Sequence, residues 1–411
     1  MPPIKQICVI GGGPAGTLAA AQLATGGHEV LLFDEKLAWE KPCGGGLTDK
    51  ALARWPFLAK TEVERKWITE CELIAPSGRA VAFRLDRRIA IFSRKILNHL
   101  LLNRAAAAGA HLLRERVLNT TRSGNRWVVH SSEGEHRADF LVIAAGARNP
   151  FRPQFAERLG PENFMVAAGY FIPIRREIVQ IKFVSGLHGY LWIFPRSDHL
   201  SAGICGRMLG KHTSELRTML ERWLTDLGIT FKGAQFYAHT IPSLSVNELR
   251  KPRWQGEGWA MVGDAAGFVD AITGEGIYYA LRSAELLASA LLRQQPDAYT
   301  TMLREDFLPE LWRAARIAHR FYDGEWLGSP VIERMVGLTA RSERFRDLMR
   351  DLFAGSQGYL GLRRRVYRSL PTIVAQALVS GMRSRVASEI PTATAGNSTS
   401  IEARTGRASL R

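Results

Sequence analysis

The sequence predicts a chain of two fold classes, α/β plus α+β. A Rossmann-like parallel sheet is interrupted by an inserted antiparallel β-sheet domain and followed by a C-terminal helical segment. Three observations predict it. A strand-length apolar run at residues 4–10 ends in a glycine cluster, an Ala-rich helix opens at Pro14, and a second apolar run follows at 28–33. Residues 164–206 read as strand after strand with turn-length gaps, which favours antiparallel pairing. Beyond residue 300 the pattern is helical and arginine-rich.

The opening element carries the first chemistry. Gly11, Gly13 and Gly16 fall on the G-x-G-x-x-G spacing, with Pro14 and Ala15 starting the helix. In a dinucleotide fold the first glycine allows the tight turn. The second lets backbone approach a pyrophosphate, and the third lets helix pack on strand. Amides at the helix start and the helix dipole favour the phosphate charge. Asp34 ends the second strand about 20 residues on, where an acid accepts hydrogen bonds from an adenosine ribose.

The chain then leaves and re-enters this unit. Cys43-Gly44-Gly45-Gly46 cannot be regular structure and implies backbone pressed against a ligand or another segment. Residues 67–92 read as a hairpin turning at Pro76-Ser77-Gly78, outside the nucleotide unit. A helix opens at Ser93-Arg94, a strand spans 111–117, and hairpins turn at Gly124-Asn125 and Glu133-Gly134. Residues 138–147 form a buried strand ending in a Gly turn. After the 164–206 strands come an amphipathic helix over 215–227 and a strand over 231–240. The nucleotide unit resumes at 259–264, a strand ending in Gly263-Asp264, and Gly274-Glu275-Gly276-Ile277 opens a long helix. Residues 391–411, rich in Ser, Thr, Ala and Gly, are expected to be a disordered tail.

Composition narrows the class. With 411 residues and 46% hydrophobic content the chain can bury a large core. A formal charge of +16 favours anionic partners. Zinc-finger spacing, RNP-type aromatics and a recognition helix are all missing, so nucleic acid is not expected. No metal-ligand spacing stands out either. The first strand starts too soon for a cleaved signal peptide, and the run at 373–382 is too short to span a bilayer. Cys8, Cys43, Cys71 and Cys205 show no C-x-x-C pair and read as reduced thiols, so a cytoplasmic protein is expected.

Together, the opening glycines, Arg94 before a helix, Gly263-Asp264 and Gly274-Glu275-Gly276-Ile277 resemble flavoproteins of the p-hydroxybenzoate hydroxylase fold. More narrowly, Cys43-Gly44-Gly45-Gly46 and Tyr190-x-Trp192-x-Phe194-Pro195 resemble the geranylgeranyl reductase family, over residues 4–291. The resemblance implies FAD as cofactor. It implies contacts from Gly11, Gly13, Pro14, Ala15, Gly16, Asp34, Cys43, Gly44, Gly45, Arg94, Val117, Gly146, Gly263, Asp264, Gly274, Gly276 and Ile277. Val117 and Gly146 would offer backbone to the adenine or a phosphate. Asp264 would meet the ribityl chain or pyrophosphate, and the turn at 274–277 would place helix amides by the flavin N1. The implied domains are FAD-binding at 1–65, 93–162 and 253–300, substrate-binding sheet at 66–92 and 163–252, and helical at 301–390.

Tyr190, Trp192 and Phe194 alternate with Leu191 and Ile193, so a strand presents the three aromatics on one face. The resemblance makes that face the border of an isoprenoid channel. The implied reaction reduces an isolated carbon–carbon double bond by hydride transfer from reduced flavin. Cys43, Tyr190 or a water would supply the proton, with Trp192 beside them. No second G-x-G-x-x-G is present, so NAD(P)H would bind transiently or a redox protein would donate electrons. Two positions depart from the family: Leu187 stands where a proline precedes the tyrosine, and Asp270-Ala271-Ile272 replaces a proline before the Thr-Gly-Glu-Gly turn. A rival on the same fold is an FAD-dependent monooxygenase or halogenase acting through a flavin C4a-peroxide. A flavin-bearing electron-transfer protein is another. The arginines among apolar residues at 341–385 suit peripheral contact with an anionic membrane, a setting that matches a prenyl or lipid substrate.

Overall fold

The computed structural model describes residues 4–207, 212–251, 254–326 and 328–389, the last nine by backbone alone. The tail expected at 391–411 lies outside them. Strand Gln6–Ile10 is central in a six-stranded sheet, paired in parallel with Glu29–Phe33 on one side and Phe140–Ile143 on the other. Its alternation sets the layers. Ile7 and Val9 join the main core with helices Pro14–Thr25, Arg94–Ala107 and Ile277–Leu292. Cys8 faces the opposite side, packing with Phe33, Trp127, Val129 and Leu141 beneath the three-stranded sheet formed by residues 117–138.

The expected strand over 111–117 divides. His111–Leu113 completes the parallel sheet, and Val117–Ser123 begins the three-stranded one. Polar Arg114-Glu115-Arg116 makes the corner between them, with the Arg116 carbonyl accepting from Ser132 N at 2.9 Å. The strand expected at 231–240 starts later, at Gln235, because Gly233 turns with φ +79°.

The inserted sheet has eight strands, in the order Gln235–Pro242, Phe164–Ile172, Leu200–Gly206, Gly189–Pro195, Val179–Lys182, Lys66–Ile74, Ala80–Ile91 and Gly46–Leu47. It is antiparallel except at one seam, where Val179–Lys182 runs parallel to Lys66–Ile74. Those strands belong to separate excursions of the chain, so no hairpin constrains their direction. One face of the sheet packs Leu191, Ile193, Ala202 and Ile204 against Leu216, Leu220, Trp223 and Leu224 of helix Thr213–Asp226. The other face turns toward the parallel-sheet unit and the C-terminal helices. Those helices are Tyr299–Asp306, Leu308–Asp323, Val331–Arg341, Glu343–Ala354 and Tyr359–Glu389. Among the described residues, no helix is long and apolar enough to cross a membrane.

Candidate active site

The glycines divide the work as their spacing requires. Gly11 has φ +112°, and a Cβ there would strike the Ala144 carbonyl. A Cβ on Gly16 would run into the Gly11 carbonyl oxygen, so helix and strand touch at bare backbone. Around a Cβ on Gly13 there is nothing within 4 Å. Gly13 caps helix Pro14–Thr25 without any side-chain cap, leaving first-turn amides facing open space. Asp34 braces this turn: its Oδ2 accepts from Gly12 N at 2.7 Å, and its Oδ1 accepts from Lys36 N and Leu37 N at 2.9 and 2.7 Å.

The Cys43–Gly46 loop is held by a side chain that motif reading missed. Arg196, 1% exposed, donates from Nη2 to the Cys43 carbonyl at 2.7 Å and pairs through Nη1 with Glu40. Ser201 Oγ donates to the same carbonyl at 3.0 Å. Glu40 also accepts from Ser93 Oγ and, at 2.8 Å, from Arg94 N, so one carboxylate joins the loop to the start of helix Arg94–Ala107. Burial alone would raise the Glu40 carboxyl. The Arg196 guanidinium and the converging hydrogen bonds outweigh that and hold it below its ordinary value. No local pattern marks Arg196, because its partner Glu40 lies 156 residues away in the chain.

Asp264 sits in the short 3-10 turn Gly263–Ala265, where Lys41 Nζ approaches its Oδ2 at 3.4 Å. Gly263 takes φ +59°, with its amide bonded to Ser283 Oγ at 2.9 Å. The next turn is braced by Asp270, whose Oδ1 accepts from Ile272 N at 2.8 Å and Thr273 N at 2.9 Å. This aspartate thus fixes a turn that proline would otherwise stiffen. Gly276 then starts helix Ile277–Leu292, again with no side-chain cap. Burial pushes the neighbouring Glu275 carboxyl up to about 7, against the opposing pull of Lys50.

On strand Gly189–Pro195, Tyr190, Trp192 and Phe194 share one face and Leu191 and Ile193 the other. Gly203, opposite Trp192, leaves room for the indole; a Cβ there would overlap the ring. The Tyr190 hydroxyl donates to the Thr273 carbonyl, and burial beside Cys205 pushes its phenol well above the ordinary range. Cys205, directly across the ladder from Tyr190, is buried and raised to about 12, so it stays a thiol.

These elements line one cavity of about 780 Å³. Of the residues expected from sequence, Gly13, Pro14, Ala15, Cys43, Gly44, Gly45, Arg94, Gly146, Tyr190, Trp192, Phe194, Asp264, Gly274, Gly276 and Ile277 line it. Gly11, Gly16, Asp34 and Gly263 stand behind the lining and shape its backbone. Val117 begins a strand of the three-stranded sheet, packed partly against the core, and does not line the cavity. Sequence reading did not anticipate the far wall. Phe321, Met335, Leu352, Leu362 and Ile373 come from four C-terminal helices and carry the cavity away from the glycines as an apolar chamber.

The residues suit a bound dinucleotide flavin. Two uncapped helix starts open on the same space, and Arg94 Nε, His239 Nε2 and Trp192 Nε1 are buried there without hydrogen-bond partners. Burial pushes the His239 imidazole down to about 4, leaving it neutral. Arg94, Asp264 and the 274–277 turn all line this cavity and could contact such a cofactor.

Comparison with known proteins agrees. Residues 5–166 match the pyridine nucleotide-disulphide oxidoreductase family. Geranylgeranyl diphosphate reductase of Nicotiana tabacum is 30% identical over 317 residues, covering 70% of this chain and 66% of the relative. The chain therefore spans about two thirds of that protein's length. Digeranylgeranylglycerophospholipid reductase of Methanoculleus marisnigri is 27% identical over 362 residues, covering 80% of this chain and 84% of the relative. Among solved structures, a geranylgeranyl bacteriochlorophyll reductase-like protein of Thermoplasma acidophilum superposes with a TM-score of 0.74 at 19% identity, covering 89% of this chain and 99% of that one. A flavin-dependent brominase superposes at 0.67 and 18% identity, covering 88% and 98%, which shows a shared fold. On these grounds the chain belongs to the geranylgeranyl reductase family of FAD-dependent oxidoreductases.

Proposed function

We propose that this protein reduces isolated carbon–carbon double bonds of an isoprenoid or similar lipid. The observation that carries the proposal is the continuity of the cavity. Its glycine-lined end suits a dinucleotide, and its other end is apolar, walled by aromatics and by C-terminal helices. The chemistry a bound reduced FAD supplies is hydride for one carbon of the double bond. The second carbon takes a proton from the wall. The Tyr190 proton is committed to the Thr273 carbonyl on a phenol of raised pKa. Cys43 lines the cavity, and its Sγ only accepts from Gly45 N at 3.3 Å, so its S–H is not spent in that bond and is the donor we favour. Trp192 and Phe194 exclude water and align the chain of the substrate. Electrons would come from NAD(P)H binding transiently or from a redox protein. The test is anaerobic: adding a polyprenyl lipid to the reduced flavoprotein should reoxidise it, whereas a monooxygenase or halogenase would need oxygen.

The last helix suits work at a lipid surface. Leu360, Tyr367, Val374 and Leu378 are exposed, and at 100° per residue they fall within about 40° of one another. Exposed Arg363, Arg364 and Arg368 flank the stripe, while Leu362, Val366, Leu370 and Ile373 line the cavity from the other face. A helix with apolar residues on both faces and arginines between them fits an anionic bilayer outside and a lipid tail within.

A further inference from the structure

We propose that His188, His319 and Asp323 form a three-ligand site for a divalent transition metal, with zinc the best match. No metal spacing in the sequence announces it, because the ligands come from two distant segments. His188 immediately precedes strand Gly189–Pro195, and His319 and Asp323 lie one turn apart on helix Leu308–Asp323. Asp323 Oδ2 is 3.2 Å from His188 Nδ1 and 2.8 Å from His319 Nδ1, and the ligating atoms all lie within 4.8 Å of one another. A tetrahedral zinc with bonds of about 2.0–2.1 Å separates its ligands by about 3.3 Å, and both His–Asp pairs already stand close to that spacing.

The surroundings favour a cation with an open fourth position. His188 is 7% exposed and fixed by packing against Tyr322, ring centroids 4.7 Å apart. The side chain of His319 is 85% exposed, so the site is reached from solvent and a water can complete the shell. Arg207 is the nearby opposing charge. Its guanidinium donates to the carbonyls of Glu162 and Ser243, at 3.1 Å each, and so is engaged elsewhere. Two imidazoles and one carboxylate are a nitrogen- and oxygen-donor set that zinc accepts and that magnesium and calcium do not favour.

Position gives the site a consequence. The clamp would join the chain two residues before Tyr190 to the helix whose Ile317 and Phe321 line the apolar chamber. Zinc would thereby fix the aromatic strand against the cavity wall. It is not part of the hydride chemistry.

The experiment uses tag-free, flavin-loaded full chain, stripped with chelator and titrated with zinc chloride by calorimetry and thermal unfolding. The expected result is one saturable site of micromolar or tighter affinity and a rise in Tm of at least about 2 °C at hundredfold excess over Kd. H319A and D323N, changes at the surface-facing end, should each weaken binding at least tenfold and keep the flavin spectrum. Absence of saturable binding overturns the proposal, as does affinity unchanged in both variants. Neither result bears on whether the protein reduces prenyl lipids, which the anaerobic assay reads separately.

Discussion

Arg196 reaches the Cys43 carbonyl at 2.7 Å from the end of the strand that carries Tyr190, Trp192 and Phe194. The aromatic wall and the Cys-Gly-Gly-Gly loop are therefore one mechanical unit, joined through a buried guanidinium. Replacing Arg196 with Met leaves Glu40 without its counter-charge, held only by Ser93 and backbone amides, and the Cys43 carbonyl with Ser201 alone. The expected loss is about 3–5 kcal/mol, read by denaturant unfolding, with a lower flavin-to-protein ratio after purification. The pH dependence should change too. The Glu40 pKa is depressed on folding from its ordinary 4.5, so its stabilisation is complete above that pH and disappears as pH falls through the folded value. R196M should flatten this acid limb.

Gly13 and Gly16 separate fold from binding. Gly16→Ala drives a methyl into the Gly11 carbonyl and should lower stability sharply. Gly13→Ala meets no protein atom within 4 Å, at a φ of −75° that alanine adopts easily. It should fold within about 1 kcal/mol of wild type, the scale of a cap change, yet bind FAD at least tenfold more weakly. Parallel unfolding and flavin titration check both; a Gly13→Ala protein with full FAD affinity would remove the pyrophosphate from this turn.

Glu275 gives a pH signature of opposite sign. Its carboxyl rises from an ordinary 4.5 to about 7 on folding, chiefly through burial. The folded state thus holds a proton that the unfolded state has released. Stability falls as pH rises from about 4.5 to about 7 and levels off above. Glu275→Gln should match wild type in Tm near pH 4.5 and exceed it at pH 8.

Cys43 and Tyr190 divide the proton question. Cys43→Ser should cut anaerobic turnover by about 10²–10⁴-fold with flavin retained, the range for a lost general acid. Tyr190→Phe removes the bond to the Thr273 carbonyl and should cost much less. Rapid-mixing kinetics of flavin reoxidation reads both, and the reverse ranking would move the donor to Tyr190.

The exposed stripe on the last helix makes a membrane prediction. Wild type should co-sediment with anionic vesicles and release as salt rises, and L378S with R364E should abolish that binding. Equal sedimentation with neutral vesicles, or none with anionic ones, would refute it.

Much of this was legible in the sequence because it is local. The G-x-G-x-x-G turn, the Gly263-Asp264 strand end and the alternation at 190–194 each specify their own backbone or face. What escaped depends on segments far apart in the chain. Arg196 meets Glu40 from 156 residues away, and the Val179–Lys182 seam is parallel because it joins two separate excursions. The C-terminal helices show ordinary amphipathic periodicity, which says that one face is buried but not that it encloses a chamber. The cluster of His188, His319 and Asp323 escaped for the same reason.

Single-turnover product analysis under argon tests the central claim most directly. The reduced flavoprotein is mixed with a polyprenyl lipid, and product mass is followed alongside flavin reoxidation. One double bond saturated per flavin reoxidised, with the gain of two hydrogens and no oxygen incorporated, is the predicted result. A lipid returned unchanged, with reoxidation only when air is admitted, would contradict it.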